Sequence, residues 1–113
     1  MRGSGDGGIY TTVADVSALW SALFKGRVVS EEWVAELVRT RSDVPAESEA
    51  GARRYGLGFW LHATTDAVTM SGGDTGVSFR SSYDPRSGVT FTAISNTGVG
   101  VGALTRTLEA LLG

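Results

Sequence analysis

Apolar residues in this chain recur first at helical spacing, then at strand spacing, then at helical spacing again. Val16, Leu19, Trp20, Leu23 and Phe24 form one stripe, which predicts a helix over 12–25. Thr12 fits its N-cap, with Asp15 in the place of a capping-box acid. Gly26 is its stop, and Lys25 stands against the C-terminal dipole. Trp20 and Phe24 continue an unbroken stripe, so they are assigned to the core rather than to a ligand pocket. After the connector Arg27-Val28-Val29, Ser30 caps a second predicted helix, with Glu31 and Glu32 in its first turn and Arg39 and Arg41 near its end. Trp33, Val34, Leu37, Val38 and Arg41 complete one side of it.

Residues 42–54 are small and polar with no period. They read as a surface loop of the length at which loops are either functional or disordered. Arg53 and Arg54 within it are taken as a solvated pair rather than an anion site. Tyr55 to Ala63 alternates and predicts a strand, with Tyr55, Leu57, Phe59 and Leu61 on one face. Gly56, Gly58, Trp60 and His62 fall on the other, where the glycines admit a closely packed helix. Thr64-Thr65-Asp66 is a turn, and Ala67 to Met70 returns as a strand.

The stretch from Val68 to Asn96 organises the rest. It reads as a strand edge, a glycine-rich corner, a strand, a tight turn and a second strand. Val77, Phe79, Ser81 and Tyr83 point one way, and Ser78, Arg80 and Ser82 the other. Asp84-Pro85-Arg86-Ser87-Gly88 carries Pro where φ is pre-set and Gly where the exit needs a positive φ. Beyond it Val89, Phe91 and Ala93 oppose Thr90, Thr92 and Ile94. Val101, Leu104, Leu108, Leu111 and Leu112 then predict a terminal amphipathic helix lying across the sheet. The fold class expected is α+β: an antiparallel sheet of about four strands, two N-terminal helices and a C-terminal helix packed on it, in one domain over 1–113.

Composition narrows the function classes. The 113 residues are 42% hydrophobic, enough for a core, and the net charge of −2 offers no basic patch for nucleic acid or an anionic membrane. There is no cysteine, so disulfides and thiolate metal sites are excluded. The polar, glycine-rich start is unlike a signal peptide, and the chain is expected to be cytoplasmic as expressed, its native compartment left open. The abrupt opening suggests a chain that begins partway through a larger protein, with a plain linker as the alternative.

Chemistry from spacing alone is sparse. His62, the single histidine, could join Asp66 and one of many serines in a triad, yet no G-x-S-x-G elbow is present, and an ordinary edge histidine is the simpler assignment. No metal-ligand spacing occurs, and no cofactor is expected. Gly98, Gly100 and Gly102 imitate a phosphate loop only superficially, without the Lys-Ser/Thr pair.

Four blocks in order nevertheless resemble one family. Gly7-Gly8-Ile9-Tyr10-Thr11-Thr12-Val13-Ala14-Asp15-Val16 is similar to its glycine-then-S/T-x-x-D lead-in to a helix. Tyr55-Gly-Leu-Gly-Phe-Trp60 is similar to its Y-G-L-G-W block. Ser71-Gly-Gly-Asp-Thr-Gly-Val-Ser-Phe-Arg-Ser81 resembles H-x-G-G-x-x-G-F-x-S, and Ser95-Asn96 the end of the strand that follows. The family is that of the serine β-lactamases and penicillin-binding proteins, including class C β-lactamases, D-Ala-D-Ala carboxypeptidases and related esterases. The resemblance covers nearly the whole chain and implies the C-terminal part of a larger serine hydrolase with a partial β-lactamase/transpeptidase-like fold.

It also implies roles. The family uses a nucleophilic Ser with a Lys one helical turn later, and no S-x-x-K occurs here. The third family element has its counterpart at Met70, Ser71 and Gly72, with Met70 in the usual basic position, where a thioether can neither donate a proton nor hold a carboxylate by charge. Ser71 would hydrogen-bond a substrate carboxylate or carbonyl, Gly72 would keep the strand edge open for the acyl group, and the Gly73 N–H would be one oxyanion-hole donor. Two functions follow as expectations. One is a hydrolase portion acting on β-lactam, D-Ala peptide or ester substrates, inactive alone, its partner the upstream half of the same protein. The other is a non-catalytic binding or assembly module that keeps the fold and associates with a second copy.

Overall fold

In a computed structural model, the described residues are 4, 5, 7–44 and 53–112. Helix α1 spans Val13–Phe24 and α2 spans Glu31–Leu37. Six strands follow: β1 (Ser42–Val44), β2 (Arg53–Tyr55), β3 (Trp60–His62), β4 (Val68–Asp74), β5 (Val77–Tyr83) and β6 (Thr90–Ser95). Helix α3 (Val101–Leu112) closes the chain. The fold is α+β, and the strands form one antiparallel sheet in chain order.

Both N-terminal helices begin where side-chain capping predicts. The Thr12 hydroxyl accepts the Asp15 N–H at 3.1 Å, and the Ser30 hydroxyl accepts that of Trp33 at 3.4 Å, each satisfying a helix donor with no intrahelical partner. Gly26, at φ +72°, ends the first helix and is crowded by Glu31, so one glycine sets both the stop and the next start.

Neighbouring residues of β5 show where the helices lie. Ser81 faces α1, and its hydroxyl accepts the indole N–H of Trp20 at 2.8 Å. Arg80 faces the other way and pairs with Glu109 of α3 at 3.0 Å. Helices therefore cover both faces of the sheet. On the α1 side, Val16, Trp20, Leu23, Val34, Leu61 and Val68 form the buried core. Trp20 stacks on Tyr83 and leans on Phe24 and Phe59, with centroids 5.8–6.2 Å away. Each such aromatic contact adds about 0.5–1.5 kcal/mol beyond area burial.

Four sequence-based expectations are corrected. The sheet has six strands rather than about four, because the expected loop 42–54 contributes β1 and β2 at its two ends. Residues 45–52, its middle, lie outside the described residues. Arg53 and Arg54 are not a solvated pair. Arg53 reaches Glu109 at 3.4 Å, and Arg54 donates to the His62 carbonyl at 2.6 Å. Trp33 does not join the buried side of α2; it is 65% exposed while its neighbour Val34 is buried. A helix of seven residues presents barely two turns, too few to bury every apolar position it carries.

The stripe on α3 is also corrected. Leu104 and Leu111 are exposed, while Val101 and Thr105 are buried and Leu108 and Glu109 half-buried. The helix is rotated so that Glu109 meets two arginines. Burial pulls the Arg53 guanidinium below the usual arginine range and the nearby Arg80 charge adds to this, while Glu109 opposes both. Leaving those cations unpaired under a helix would cost more than exposing two leucines.

The turn at Asp84 forms as predicted. Its carboxylate accepts the Arg86 N–H at 2.9 Å and the Ser87 hydroxyl at 2.8 Å, and Gly88 exits at φ +74°.

Replacing Ser81 by Ala strands the buried Trp20 N–H. The expected loss of unfolding free energy is about 1–3 kcal/mol by urea denaturation. Trp20→Phe combined with Ser81→Ala should cost less than the sum of the two single changes, because donor and acceptor then leave together.

Candidate functional site

The block Tyr55-Gly-Leu-Gly-Phe-Trp60 is a hairpin turn rather than the predicted strand. Tyr55 pairs with Trp60, and the Gly56 N–H returns to the Phe59 carbonyl at 2.9 Å. The turn is docked on the end of α2: the Leu37 carbonyl accepts the Leu57 N–H at 2.9 Å. Each glycine has its own reason. A Cβ on Gly56 would stand 2.4 Å from the Leu37 carbonyl oxygen, and Gly58 has φ +86°. The alternation that suggested a strand is thus a pair of turn requirements two residues apart.

This turn has a consequence for β4. It carries the chain away at Phe59, so β3 pairs with β4 only at Val68 and Thr69. From Met70 to Asp74, no strand among the described residues pairs with the outer edge of β4. Its inner edge is paired throughout with β5, from Val68 opposite Tyr83 to Asp74 opposite Val77. The predicted glycine-rich corner is therefore mostly strand. The chain reverses only at Thr75-Gly76, where Gly76 supplies φ +76°.

Backbone direction on the open edge follows from the ladder. The His62 N–H bonds the Ala67 carbonyl at 3.0 Å, so Ala67 turns its polar backbone groups toward β3. Strand alternation repeats this at 69, 71 and 73. Ser71 and Gly73 consequently point their N–H and C=O groups out of the open edge, while Met70, Gly72 and Asp74 point theirs at β5.

The four residues singled out from sequence are thus consecutive on one half-open strand. The Met70 side chain packs half-buried against the α1-side core, across from Ser81. Ser71 is exposed on the opposite face, across from Arg80. A Cβ on Gly72 would meet nothing within 4 Å, and one on Gly73 only the Val77 carbonyl at 3.8 Å. The chain's own packing therefore does not require either glycine.

Sequence reasoning missed a hydroxyl network behind Gly73. Gly73 lies opposite Ser78, which lies opposite Ser95. The Ser78 hydroxyl donates to the Thr97 carbonyl at 2.8 Å, and the Thr97 and Ser95 hydroxyls bond each other at 2.9 Å. These contacts fix the segment after β6 beside the β4–β5 tip. Asp74, exposed at the end of the open edge, was also missed; its Oδ1 accepts the Thr75 N–H at 2.7 Å. The signal was a run of Ser and Thr at alternating positions, which on sequence alone looks like ordinary strand polarity.

His62 is not drawn into this group. Its Nδ1 accepts the N–H groups of Thr64 and Thr65 at 3.3 and 3.2 Å, which fixes it to the β3–β4 turn. Among the described residues no cluster of three or more His, Cys, Asp or Glu is placed to hold a metal ion.

The two glycine pairs separate under mutation. Gly72→Ala should leave the melting temperature of the chain unchanged or raise it slightly, since Ala restricts the unfolded chain by about 0.4–1 kcal/mol and meets no obstacle. Gly56→Ala drives a methyl group into a backbone carbonyl and should destabilise by about 1–3 kcal/mol. Thermal denaturation of the two variants checks the contrast.

Comparison with known proteins agrees with this geometry. A search of the curated proteins found no match. Among solved structures, the penicillin binding protein from Bacillus halodurans superposes with a TM-score of 0.84 at 27% identity, over 96% of this chain and 33% of that one. The chain therefore spans about a third of the length of that protein. The profile of the Beta-lactamase family matches residues 1–113. With the match running from its first residue to its last, the chain belongs to the beta-lactamase family.

Proposed function

We propose that this chain carries the substrate-edge portion of a serine acyl hydrolase, acting on β-lactam, D-Ala peptide or ester substrates, and that the nucleophile comes from polypeptide outside these 113 residues. The observation that supports it is the half-open β4. A strand with one edge paired and the other free offers a template for an extended acyl compound, which adds to it as another strand would. Gly72 leaves room beside it, the Ser71 hydroxyl meets a substrate carbonyl, and the Gly73 N–H points outward as an oxyanion donor. A donor of that kind is worth roughly 2.7–4 kcal/mol to the transition state.

The nucleophile is the part this sequence does not supply. The single lysine is Lys25, and an S-x-x-K motif would need a serine at position 22, which is Ala22. His62 is committed to backbone amides at the other end of β4. The 113-residue chain should therefore give no turnover above buffer with nitrocefin or p-nitrophenyl acetate. Turnover that Ser71→Ala abolishes would show that the chain holds its own nucleophile.

A second reading, a non-catalytic assembly module, is favoured by a specific observation. Ile9, Tyr10, Trp33, Val99 and Leu111 are each 65–92% exposed. Such side chains promote association when they gather into patches. We propose that the chain pairs with a second copy or with the remaining part of a hydrolase. Light scattering of the isolated chain should give a mass above that of one copy; a monomer that binds no ANS would oppose this.

A further inference from the structure

Resting on the reading of β4 as an acyl-binding edge, we propose that this edge selects neutral esters and amides over compounds that present a carboxylate at Gly73. The selection is electrostatic and follows from the charges carried by the segment around the outward-pointing amides. Between Tyr55 and Phe79 the chain contains no Lys or Arg, while it contains Asp66 and Asp74. Met70, beside Ser71, contributes a thioether packed against the core and no charge.

Two arginines of the α3 side, Arg80 and Arg106, are directed away from this edge. Arg80 lies across from Ser71, but its side chain is only 13% exposed and its guanidinium is held by Glu109 at 3.0 Å on the α3 face. Arg106 folds back along its own helix, with a terminal nitrogen 3.5 Å from where a Gly102 Cβ would stand. The charge closest along the strand is Asp74, adjacent to Gly73, exposed and hydrogen-bonded to the turn. A carboxylate docking on the Ser71 and Gly73 amides would shed water, meet no Lys or Arg from the segment between Tyr55 and Phe79, and approach an anion about one residue away. A carboxamide or ester carbonyl accepts the same N–H groups without that opposition.

The test titrates the isotopically labelled 113-residue chain with N-acetyl-D-Ala-D-Ala as free acid and as its C-terminal amide, following the Ser71 and Gly73 amide resonances at neutral pH. The amide form should reach its midpoint at about fivefold lower concentration than the acid. Asp74→Asn, on an exposed side chain that keeps its oxygen acceptor, should narrow that gap by about twofold. Met70→Lys should close or invert it. Equal midpoints for the two forms, or a gap that neither variant changes, would overturn the selectivity while leaving the acyl-edge reading in place. No shift at Ser71 or Gly73 with either form would overturn both.

Discussion

The hydrogen bond from the Trp20 indole to Ser81 is the contact on which the other packing depends. Both side chains are fully buried, and the Ser81 hydroxyl accepts the indole N–H at 2.8 Å. The serine hydroxyl also donates to the Phe91 carbonyl at 3.2 Å and lies 2.8 Å from the Thr92 hydroxyl, so it joins α1, β5 and β6 at one point. A polar pair at the centre of an aromatic core is tolerable only when each partner is satisfied, because the dielectric that strengthens the bond also raises the cost of losing it. This fixes helix α1 over the sheet more narrowly than the apolar contacts would, since those are non-directional. Met70 lies directly across from Ser81 on the next strand. The position of the candidate edge is therefore referred, through one residue pair, to the most constrained point of the fold.

What could be read from the residues was whatever depends on local chemistry. The caps at Thr12 and Ser30, the stop at Gly26 and the turn at Asp84-Pro85 each rest on groups within a few residues of one another, and all appear in the structure. The alternation along β5 was legible because one face turns Phe79 and Tyr83 to the apolar core while the other carries the polar Ser78 and Arg80. The glycines between Tyr55 and Trp60 were misread because two distinct demands, a close carbonyl from α2 and a positive φ, fall at a spacing that imitates a strand. The carbonyl belongs to Leu37, some twenty residues earlier, and no local pattern announces it. The face of α3 was misread for a similar reason: an exposed Leu104 and a half-buried Glu109 make sense only once Arg53 and Arg80 are in place beneath the helix.

The same division applies to the site. Resemblance to a family pointed to Met70, Ser71, Gly72 and Gly73, and the structure sets them in sequence on one strand. Neither motif nor composition could show that the neighbouring strand stops short of them. That shortfall is decided by the Gly56–Gly58 turn and by its anchor on α2. The hydroxyls of Ser78, Ser95 and Thr97, which hold the segment after β6 beside Gly73, were invisible for want of any signal distinguishing them from routine strand polarity.

An open strand edge is a liability, since unpaired N–H and C=O groups invite any other strand. Here the exposure is confined. The open stretch is five residues, its inner side is paired along its whole length, and its far end carries the charge of Asp74. Two of its residues are glycines that nothing in the surrounding chain demands, although glycine in a strand costs roughly 0.5–1 kcal/mol relative to alanine. A sequence that only had to fold would gain by replacing Gly72. Under the proposed acyl-edge function, its presence beside the unfinished part of the β3–β4 ladder is explained by close approach of a substrate. The geometry thus separates two kinds of glycine: Gly56, required by the protein's own backbone, and Gly72, which the described residues do not require and which the proposed function assigns to room for a substrate on the open edge.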